Sequence, residues 1–156
     1  MTPADGTDRE VADLVGRAAD AASALVRGDI REYFRLLPHS DDFTLMAPTG
    51  GEPRRGVDTS DETLDALAAY FQGGEADLEV VESYASAELV VLVVMERQHG
   101  KVGGLPDQDL SLRATLVFRR EGSGWRLVHR HADPLVHPIS EEQLGSLLRG
   151  DQPAAS

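Results

Sequence analysis

Cysteine and an excess of positive charge are both absent from this chain of 156 residues. The lack of cysteine excludes disulfide bonds, Cys-ligated zinc, iron–sulfur clusters and thiol catalysis. Acidic residues outnumber basic ones by 27 to 15, which gives a formal net charge of −12. Binding to nucleic acid or to an anionic membrane depends on clusters of Lys and Arg. We therefore expect neither as a partner of this protein.

Long hydrophobic runs are absent as well. The longest, Leu89–Met95, is far too short to span a bilayer, and Met1–Glu10 lacks the apolar stretch of a signal peptide. We therefore expect a cytoplasmic protein. A domain of roughly 150 residues buries about 70% of its unfolded surface, enough to fold without a metal or disulfide bonds. We expect one domain over residues 1–150 and a flexible tail over residues 151–156.

The first half of the chain has the periodicity of helices, with apolar residues recurring at helical spacing. Thr7 and Glu10 have the spacing of a capping box, as do Thr59 and Glu62. We expect Gly73-Gly74 to end the last of these helices. The predicted helices cover residues 8–27, 29–37 and 60–72, and a short strand covers residues 43–47.

The second half is typical of strands, because Val, Leu, Thr and aromatic residues dominate four segments separated by turn residues. Short connections between consecutive strands favour an antiparallel meander. A last short helix is expected to begin at Ser140 and to end at Gly150. Helices first and strands later, without βαβ alternation, predict an α+β fold. The predicted strands cover residues 78–85, 88–99, 110–121 and 125–132.

The turn at Gly122-Ser123 predicts the register of the last two strands. A two-residue turn that begins with Gly favours a type II′ hairpin, which places Glu121 opposite Gly124. Regular pairing then separates an apolar face from an Arg-rich face, and a slip of one residue would mix the two sets. The apolar face, expected to point inward, carries Ala114, Leu116, Phe118, Trp125, Leu127, His129 and His131. The outer face carries Arg113, Thr115, Val117, Arg119, Arg126, Val128 and Arg130.

This hairpin resembles the last hairpin of SnoaL-like domains in the nuclear-transport-factor-2-like superfamily. The match rests on Trp125-x-x-Val128-His129-x-His131 and the preceding Arg113-x-Thr115. It is strongest to the branch that includes the association domain of calcium/calmodulin-dependent protein kinase II. The resemblance implies a cone, in which a curved antiparallel sheet packs against N-terminal helices, with a pocket at the open end. It also implies a homodimer, and functions that range from isomerases, dehydratases and polyketide cyclases to non-catalytic assembly modules.

The two histidines and one carboxylate are the candidate chemical groups. His129 and His131 project to one side of a strand, and Asp133 continues their row. They could form a hydrogen-bonded polar layer in the core, the polar end of a ligand pocket, or a His-x-His-x-Asp metal site. By strand parity Glu96 points into the cone, where either histidine could pair with it for proton transfer. Alternatively, Glu96 is solvated at the strand end.

These patterns favour a domain that binds an apolar oxygenated small molecule in an apolar pocket. An enzyme of this kind would be a cofactor-independent isomerase, dehydratase or cyclase, with no metal. His129 or His131 would act as general acid or base, and Glu96 would orient it. The expected ligand-binding residues are Tyr33, Phe43, Met46, Phe71, Leu116, Phe118, Trp125 and Asp133.

A non-catalytic association module is the alternative function. In that case the outer face of the sheet would bury apolar side chains against a partner, as obligate interfaces do. The candidate contact residues are Val91, Val93, Met95, Val117 and Val128.

Overall fold

Four helices and one seven-stranded sheet make up the protein in a computed structural model that describes residues 5–151. In chain order the elements are α1 (Asp5–Val26), α2 (Ile30–Leu36), β1 (His39–Met46), β2 (Arg54–Arg55), α3 (Asp61–Tyr70), β3 (Phe71–Ala85), β4 (Leu89–Val102), β5 (Gln108–Asp109), β6 (Leu112–Glu121), β7 (Gly124–Asp133) and α4 (Glu141–Arg149). No described helix has the length and apolarity that a membrane span requires. The tail expected over residues 151–156 lies, apart from its first residue, outside the described residues.

The sheet is curved and unclosed, with the strand order β2-β1-β7-β6-β4-β3 and β5 added beside β4. The long strands β3, β4, β6 and β7 form the antiparallel meander expected from the sequence. β1 departs from that pattern because it joins β7 in parallel orientation. Helices packed against one face of this sheet confirm the predicted α+β cone.

The core lies between α1 and the inner face of the sheet. α1 presents a leucine and several alanines on its buried side, and these small side chains let the helix lie close to the strands. β4 and β6 supply the facing side chains by simple alternation. The residues of this cluster from α1, β4 and β6 are Leu14, Ala18, Ala21, Ala24, Val90, Leu92, Val94, Ala114, Leu116 and Phe118.

The start of α1 differs from the prediction. The helix begins at Asp5, so Thr7 lies inside it and does not cap it. Glu10 has a different role: its Oε2 accepts hydrogen bonds from Arg120 at 2.6 Å and from the Trp125 indole at 3.0 Å. These contacts hold α1 against the end of β6 and the start of β7, on either side of the hairpin turn. The predicted capping box at this helix was wrong, because the helix begins before Thr7 and the side chain of Glu10 contacts β6 and β7.

The other helix ends follow local capping rules more closely. Ser60 caps α3 by accepting from the backbone N–H of Thr63 at 3.3 Å, so the predicted cap at Thr59 was one residue early. The predicted start of α4 is confirmed, because Ser140 and Gln143 form a complete capping box. Gly150 closes α4 in a left-handed conformation, as expected.

The pair Gly73-Gly74 does not form a terminating turn, since both glycines lie inside β3. Gly74 pairs with Gly100 of β4, and a Cβ at Gly74 would lie 2.1 Å from the backbone oxygen of His99. The two glycines therefore permit a close approach of the strands. For this reason β3 begins at Phe71, seven residues before the predicted strand.

A β-bulge at Val128 corrects the predicted register of the last hairpin. The pairs Glu121–Gly124 and Phe118–Leu127 are as predicted, but Val117 then faces His129 and leaves Val128 without a partner. One extra residue reverses the orientation of everything that follows it in the strand.

The bulge means that the predicted orientations of His129, Arg130, His131 and Asp133 were wrong. His129 and His131 lie on the outer face, and Arg130 points inward. Leu116 consequently pairs with Arg130, and Ala114 pairs with Ala132, rather than with the histidines.

The connection between α1 and α2 offers a test of this packing. Gly28 has φ 84°, and a Cβ there would lie 2.6 Å from the backbone oxygen of Phe71, whereas a Cβ at Gly16 would meet nothing within 4 Å. We expect Gly28→Ala to lower the free energy of unfolding by about 2 kcal/mol or more. Gly16→Ala, in the middle of a helix, should raise it by about 0.5–1 kcal/mol. Urea unfolding of both variants measures the contrast, and equal effects would contradict this packing.

Candidate functional site

A buried ion pair lies on the inner face of the sheet. Arg130 donates through Nη1 to Oε2 of Glu96 at 2.6 Å and through Nη2 to Oε1 at 2.8 Å. Glu96 is only 5% exposed, so the prediction that it points inward is confirmed. Its partner is an arginine rather than either predicted histidine. Two parallel hydrogen bonds to both carboxylate oxygens are the strong, geometrically specific form of such a pair.

Arg130 keeps its charge in this pair. Burial disfavours the charged form of Arg130, but the nearby carboxylate of Glu96 outweighs it and raises the pKa of the guanidinium above its ordinary value. The two charges cancel, so the pair adds polarity to the interior without adding net charge.

His39 packs beside this pair in a group of aromatic rings. Its ring centroid lies 4.4 Å from that of Phe43, 5.0 Å from Phe34 and 5.7 Å from Tyr33. Its Nδ1 donates to the backbone oxygen of Leu37 at 2.6 Å. An imidazole that donates through Nδ1 while neutral has Nε2 available as an acceptor.

Burial is the main cause that lowers the pKa of His39 to about 4, and the positive charge of Arg130 acts in the same direction. The hydrogen bond to Leu37 opposes both without reversing them. Burial also raises the pKa of the Tyr33 hydroxyl. At neutral pH the histidine is therefore uncharged and the tyrosine is protonated.

Three polar atoms of this group make no hydrogen bond to any described residue: the Tyr33 hydroxyl, His39 Nε2 and Arg130 Nε. Among the described residues, Ser40 Oγ is the one fully enclosed side-chain polar atom without a partner. The other three atoms therefore keep contact with solvent. We refer to Tyr33, His39, Glu96 and Arg130 as the interior polar cluster.

Some of the predicted site residues lie in the interior of the protein, and others lie on the outer face of the sheet. Tyr33 and Glu96 belong to the interior polar cluster, and Phe43 packs on its histidine. Phe71 lies apart, where β3 begins, with its ring against Tyr70. The predicted pocket residues that are core side chains, each at most 7% exposed, are Leu116, Phe118 and Trp125.

Four predicted site residues lie on the outer face of the sheet instead. His131 and Met46 are exposed and pair across β7 and β1. His129 shares a hydrogen bond of 2.8 Å between its Nδ1 and the Thr44 hydroxyl. Asp133 accepts two hydrogen bonds of 2.8 Å from Arg113. No three His, Cys, Asp or Glu side chains in the described part of the chain come together in a way that could hold a metal ion.

The outer face is apolar in its centre. Its side chains are aligned in rows, because residues that pair across strands share a face. One row runs across β1, β7, β6, β4 and β3 as Met46, His131, Thr115, Val93 and Glu82. The next row runs in the same order as Thr44, His129, Val117, Val91 and Tyr84.

Two surface concavities of the described residues lie away from both regions. One, of about 530 Å³, follows α4 from Ile139 to Asp151. The other, of about 160 Å³, lies between α2 and α3 around Gly28 and Leu64. Neither is lined by a predicted pocket residue. Core side chains such as Leu116 occupy the inside of the cone, where the pocket was expected.

Comparison with known proteins identifies the family. The SnoaL-like domain family matches residues 15–136, most of the chain, and the protein therefore belongs to it. No curated protein matches the chain.

Several solved structures share the fold. A protein from Thiobacillus denitrificans, suggested to be a calcium/calmodulin-dependent protein kinase type II association domain, is 22% identical, covers 72% of this chain and 86% of its own, and has a TM-score of 0.56. The kinase hub homology domain from Chlamydomonas reinhardtii is 16% identical over 79% of this chain and 96% of its own, with a TM-score of 0.58. A protein of the NTF2-like family from Streptomyces avermitilis, suggested to be a dehydratase, is 21% identical over 87% and 100%, with a TM-score of 0.61.

Two members of the interior polar cluster were not predicted. Arg130 was placed outside because regular pairing of the hairpin does not include the bulge. His39 follows Pro38 and is the first residue of β1, and its aromatic neighbours come from α2 and β1. The one available signal was Glu96, since a buried carboxylate requires a cation on the facing strands.

Protonation of His39 should make stability depend on pH. Its pKa is about 4 in the folded protein, against about 6.5 for an unperturbed histidine, so the unfolded chain binds more protons between these values. Above pH 6.5 neutral His39 makes its full contribution to the free energy of unfolding. As the pH falls to 4 this contribution is lost, which lowers the free energy of unfolding by up to about 3 kcal/mol. We expect His39→Phe to remove this pH dependence. The variant can still differ from the natural protein in its free energy of unfolding by an amount that does not change with pH.

Urea unfolding at pH 7.5, 5.5 and 4.5 measures the difference between the variant and the natural protein. His99 contributes with the opposite sign, because hydrogen bonds to Asp107 and Glu75 raise its pKa, but it is common to both proteins and cancels. A matched control is His137→Phe, at an 83% exposed side chain. If the difference between His39→Phe and the natural protein is the same at all three pH values, His39 is not buried as described.

Proposed function

We propose that the protein binds a small molecule at the interior polar cluster. The observation that carries this proposal is the set of three polar atoms, on Tyr33, His39 and Arg130, that bind no described residue and reach solvent beside aromatic side chains. Polar groups in protein interiors are normally hydrogen-bonded, and ligand sites combine apolar walls with a few polar groups. Because core side chains fill the inside of the cone, the ligand would bind at the solvent-accessible edge of the cluster.

The charge balance of the cluster favours a neutral ligand. Glu96 and Arg130 cancel each other, and His39 is uncharged at neutral pH. The Tyr33 O–H and the Arg130 Nε–H can donate to a carbonyl oxygen, while His39 Nε2 can accept from a hydroxyl. A hydroxyketone has both groups, and the single hydroxyl of a phenol can donate to His39 Nε2 while its oxygen accepts a hydrogen bond. The proposal thus keeps the oxygenated ligand class expected from the sequence and moves its polar contacts to other residues.

Proton transfer by the predicted catalytic residues is not part of this proposal. His129 and His131 lie on the opposite face of the sheet from Glu96. Arg130, rather than either histidine, binds both carboxylate oxygens of Glu96.

Thermal unfolding in the presence of a ligand panel tests the binding site. Neutral cyclic hydroxyketones and phenols form the test set, and short carboxylic acids form the comparison set. We expect at least one neutral compound to raise the Tm, since a ligand at a hundred times its Kd stabilises the folded state by about 2.7 kcal/mol. The Tyr33→Phe and His39→Phe variants should lose most of this shift, because each removes one hydrogen-bonding atom.

The control variant is His131→Gln, which alters an exposed histidine on the outer face and should keep the full shift. The proposal fails if no neutral compound stabilises the protein, or if Tyr33→Phe responds as the natural protein does.

A specific observation favours a second function, self-association through the outer face. The centre of this face is apolar, where β4 and β6 present Val91, Val93, Met95 and Val117 to the outside. Charged pairs, including Arg113–Asp133 and Arg119–Asp42, lie around this centre. An apolar centre within a polar rim is the usual anatomy of a protein interface. We propose that two copies of the chain associate here, as a homodimer.

Replacement of one central valine tests the association. Val93→Asp places a charge in the centre of the outer face and should shift the protein from dimer to monomer, since an unpaired charge is strongly disfavoured in an interface. Sedimentation equilibrium over a range of concentrations measures the change. The matched control is Val57→Asp, in the loop after β2, which should leave the dimer intact. A natural protein that stays monomeric, or a Val93→Asp variant that stays dimeric, contradicts the proposed association.

A further inference from the structure

β3 is an edge strand of the sheet, with β4 on one side and no strand of residues 5–151 on the other. It is 15 residues long, and an edge of this kind offers backbone N–H and C=O groups to a further strand. An edge lies in the plane of its sheet, so these groups belong neither to the interior polar cluster nor to the outer face. The edge of β3 is therefore a surface distinct from both.

The register of β3 shows which of its residues direct their backbone groups away from β4. Along a strand, these groups face one neighbour and the other alternately. Gln98 of β4 binds the Ser111 hydroxyl through its backbone N–H, on the side of β4 that faces away from β3. Its partner on β3, Ala76, therefore directs its own backbone groups away from β4. In agreement, the backbone oxygen of Ala76 accepts from Ser23 Oγ of α1 at 3.1 Å.

The same alternation places the next outward backbone groups at Leu78 and Val80. A bulge at Val81 then shifts the pattern by one residue. Ser83 is accordingly the next outward residue, and its N–H donates to Glu82 Oε1 at 2.9 Å. The open part of the edge thus begins after the contact with α1 and reaches this local hydrogen bond.

Every charged side chain of β3 is acidic, and the strand contains no Lys, Arg or His. Arg97 of β4 binds Glu79 at 3.2 Å. Asp77 and Glu82 make no ion pair with the rest of residues 5–151. Two copies of this edge would place like charges opposite each other, which disfavours pairing of β3 with its own copy.

The side chains along the open part of the edge alternate between two kinds of surface. Leu78 pairs with the inward-pointing Glu96, so Leu78 and Val80 lie on the inner face. Asp77 and Glu79 lie on the outer face. Val80 is 40% exposed, which leaves apolar surface for a neighbouring side chain. A strand added here would meet carboxylates on one face and apolar side chains on the other.

We propose that the edge of β3 over residues 77–83 binds an extended basic segment of another protein by strand addition. The segment alternates Lys or Arg with apolar residues, so that its basic side chains reach Asp77 and Glu82 and its apolar ones cover Leu78 and Val80. Backbone hydrogen bonds supply affinity in such a complex, and alternate side chains supply specificity. An added strand leaves both faces of the sheet uncovered, so the proposal is independent of the two functions proposed above.

The local hydrogen bond at Ser83 gives a basic segment a further advantage. Glu82 holds the outward N–H of Ser83 with its own carboxylate. A Lys or Arg side chain that binds this carboxylate releases the N–H, which then becomes available to a carbonyl oxygen of the added strand. An acidic or neutral segment lacks the group that makes this exchange.

Fluorescence anisotropy of a labelled peptide measures binding to the whole chain. The probe is a seven-residue peptide of alternating lysine and valine with blocked ends, and the comparison peptide has glutamate in place of lysine. We expect saturable binding of the basic peptide that weakens as salt is added, and no binding of the acidic one. If the basic peptide does not bind, the proposal is wrong.

Charge reversal on the edge tests where the basic peptide binds. Asp77→Lys and Glu82→Lys should each raise Kd roughly three- to tenfold, because an exposed ion pair is replaced by a repulsion. Glu52→Lys, in the loop after β1, changes the net charge equally and should leave Kd unchanged. Equal effects of the three substitutions mean that the peptide responds to net charge alone, which contradicts the proposal.

Amide hydrogen exchange followed by NMR tests strand addition itself. In the free protein the N–H groups of Leu78 and Val80 should exchange fast, whereas those of Asp77 and Glu79, directed to β4, should exchange slowly. The basic peptide should slow exchange at Leu78 and Val80 by roughly tenfold or more. Binding without this protection overturns the proposal. Protection that appears in the free protein as its concentration rises also overturns it, because a second copy then occupies the edge.

Discussion

The buried pair of Glu96 and Arg130 is the interaction on which the arrangement of this sheet depends. A carboxylate inside an apolar sheet needs a cation that binds both of its oxygens, and removal of one partner from such a pair destabilises a protein by about 3–5 kcal/mol. Regular pairing of β7 would turn Arg130 to the outside. The bulge at Val128 reverses the later part of the strand and brings the guanidinium to 2.6 Å from the carboxylate.

The same bulge determines the chemistry of both faces of the sheet. On the inside, Arg130 and Glu96 together with His39 and Tyr33 form a group without net charge at neutral pH, and its donors and acceptor can reach solvent. On the outside, His129 and His131 join a surface whose centre is apolar. One extra residue thus separates a candidate ligand site from a candidate association surface. Because the two lie on opposite faces, variants can alter either one without touching the other.

Membership of the SnoaL-like family accounts for the architecture. It does not determine the function, which depends on individual side chains. The related folds include proteins suggested to be a kinase association domain and a dehydratase, which differ in kind. α4 lies beyond the residues that match the family, and it is well capped although Leu147 and Leu148 are 62% and 78% exposed. Local capping is thus sufficient to define this helix even where packing contributes little.

Local patterns in the sequence determined the kinds of elements, the tight turn after Glu121 and the inward position of Glu96, because period and turn chemistry act over a few residues. β4 alternates regularly, so its parity could be extended to the carboxylate. Only the tertiary structure decided which side of β7 faces the interior after the bulge, and therefore where His129 and Arg130 lie. It also decided which aromatic rings surround His39 on β1. The reason is that the bulge brings Arg130 to Glu96, which lies 34 residues away in the chain. A repeating pattern over a few residues contains no information about so distant a contact.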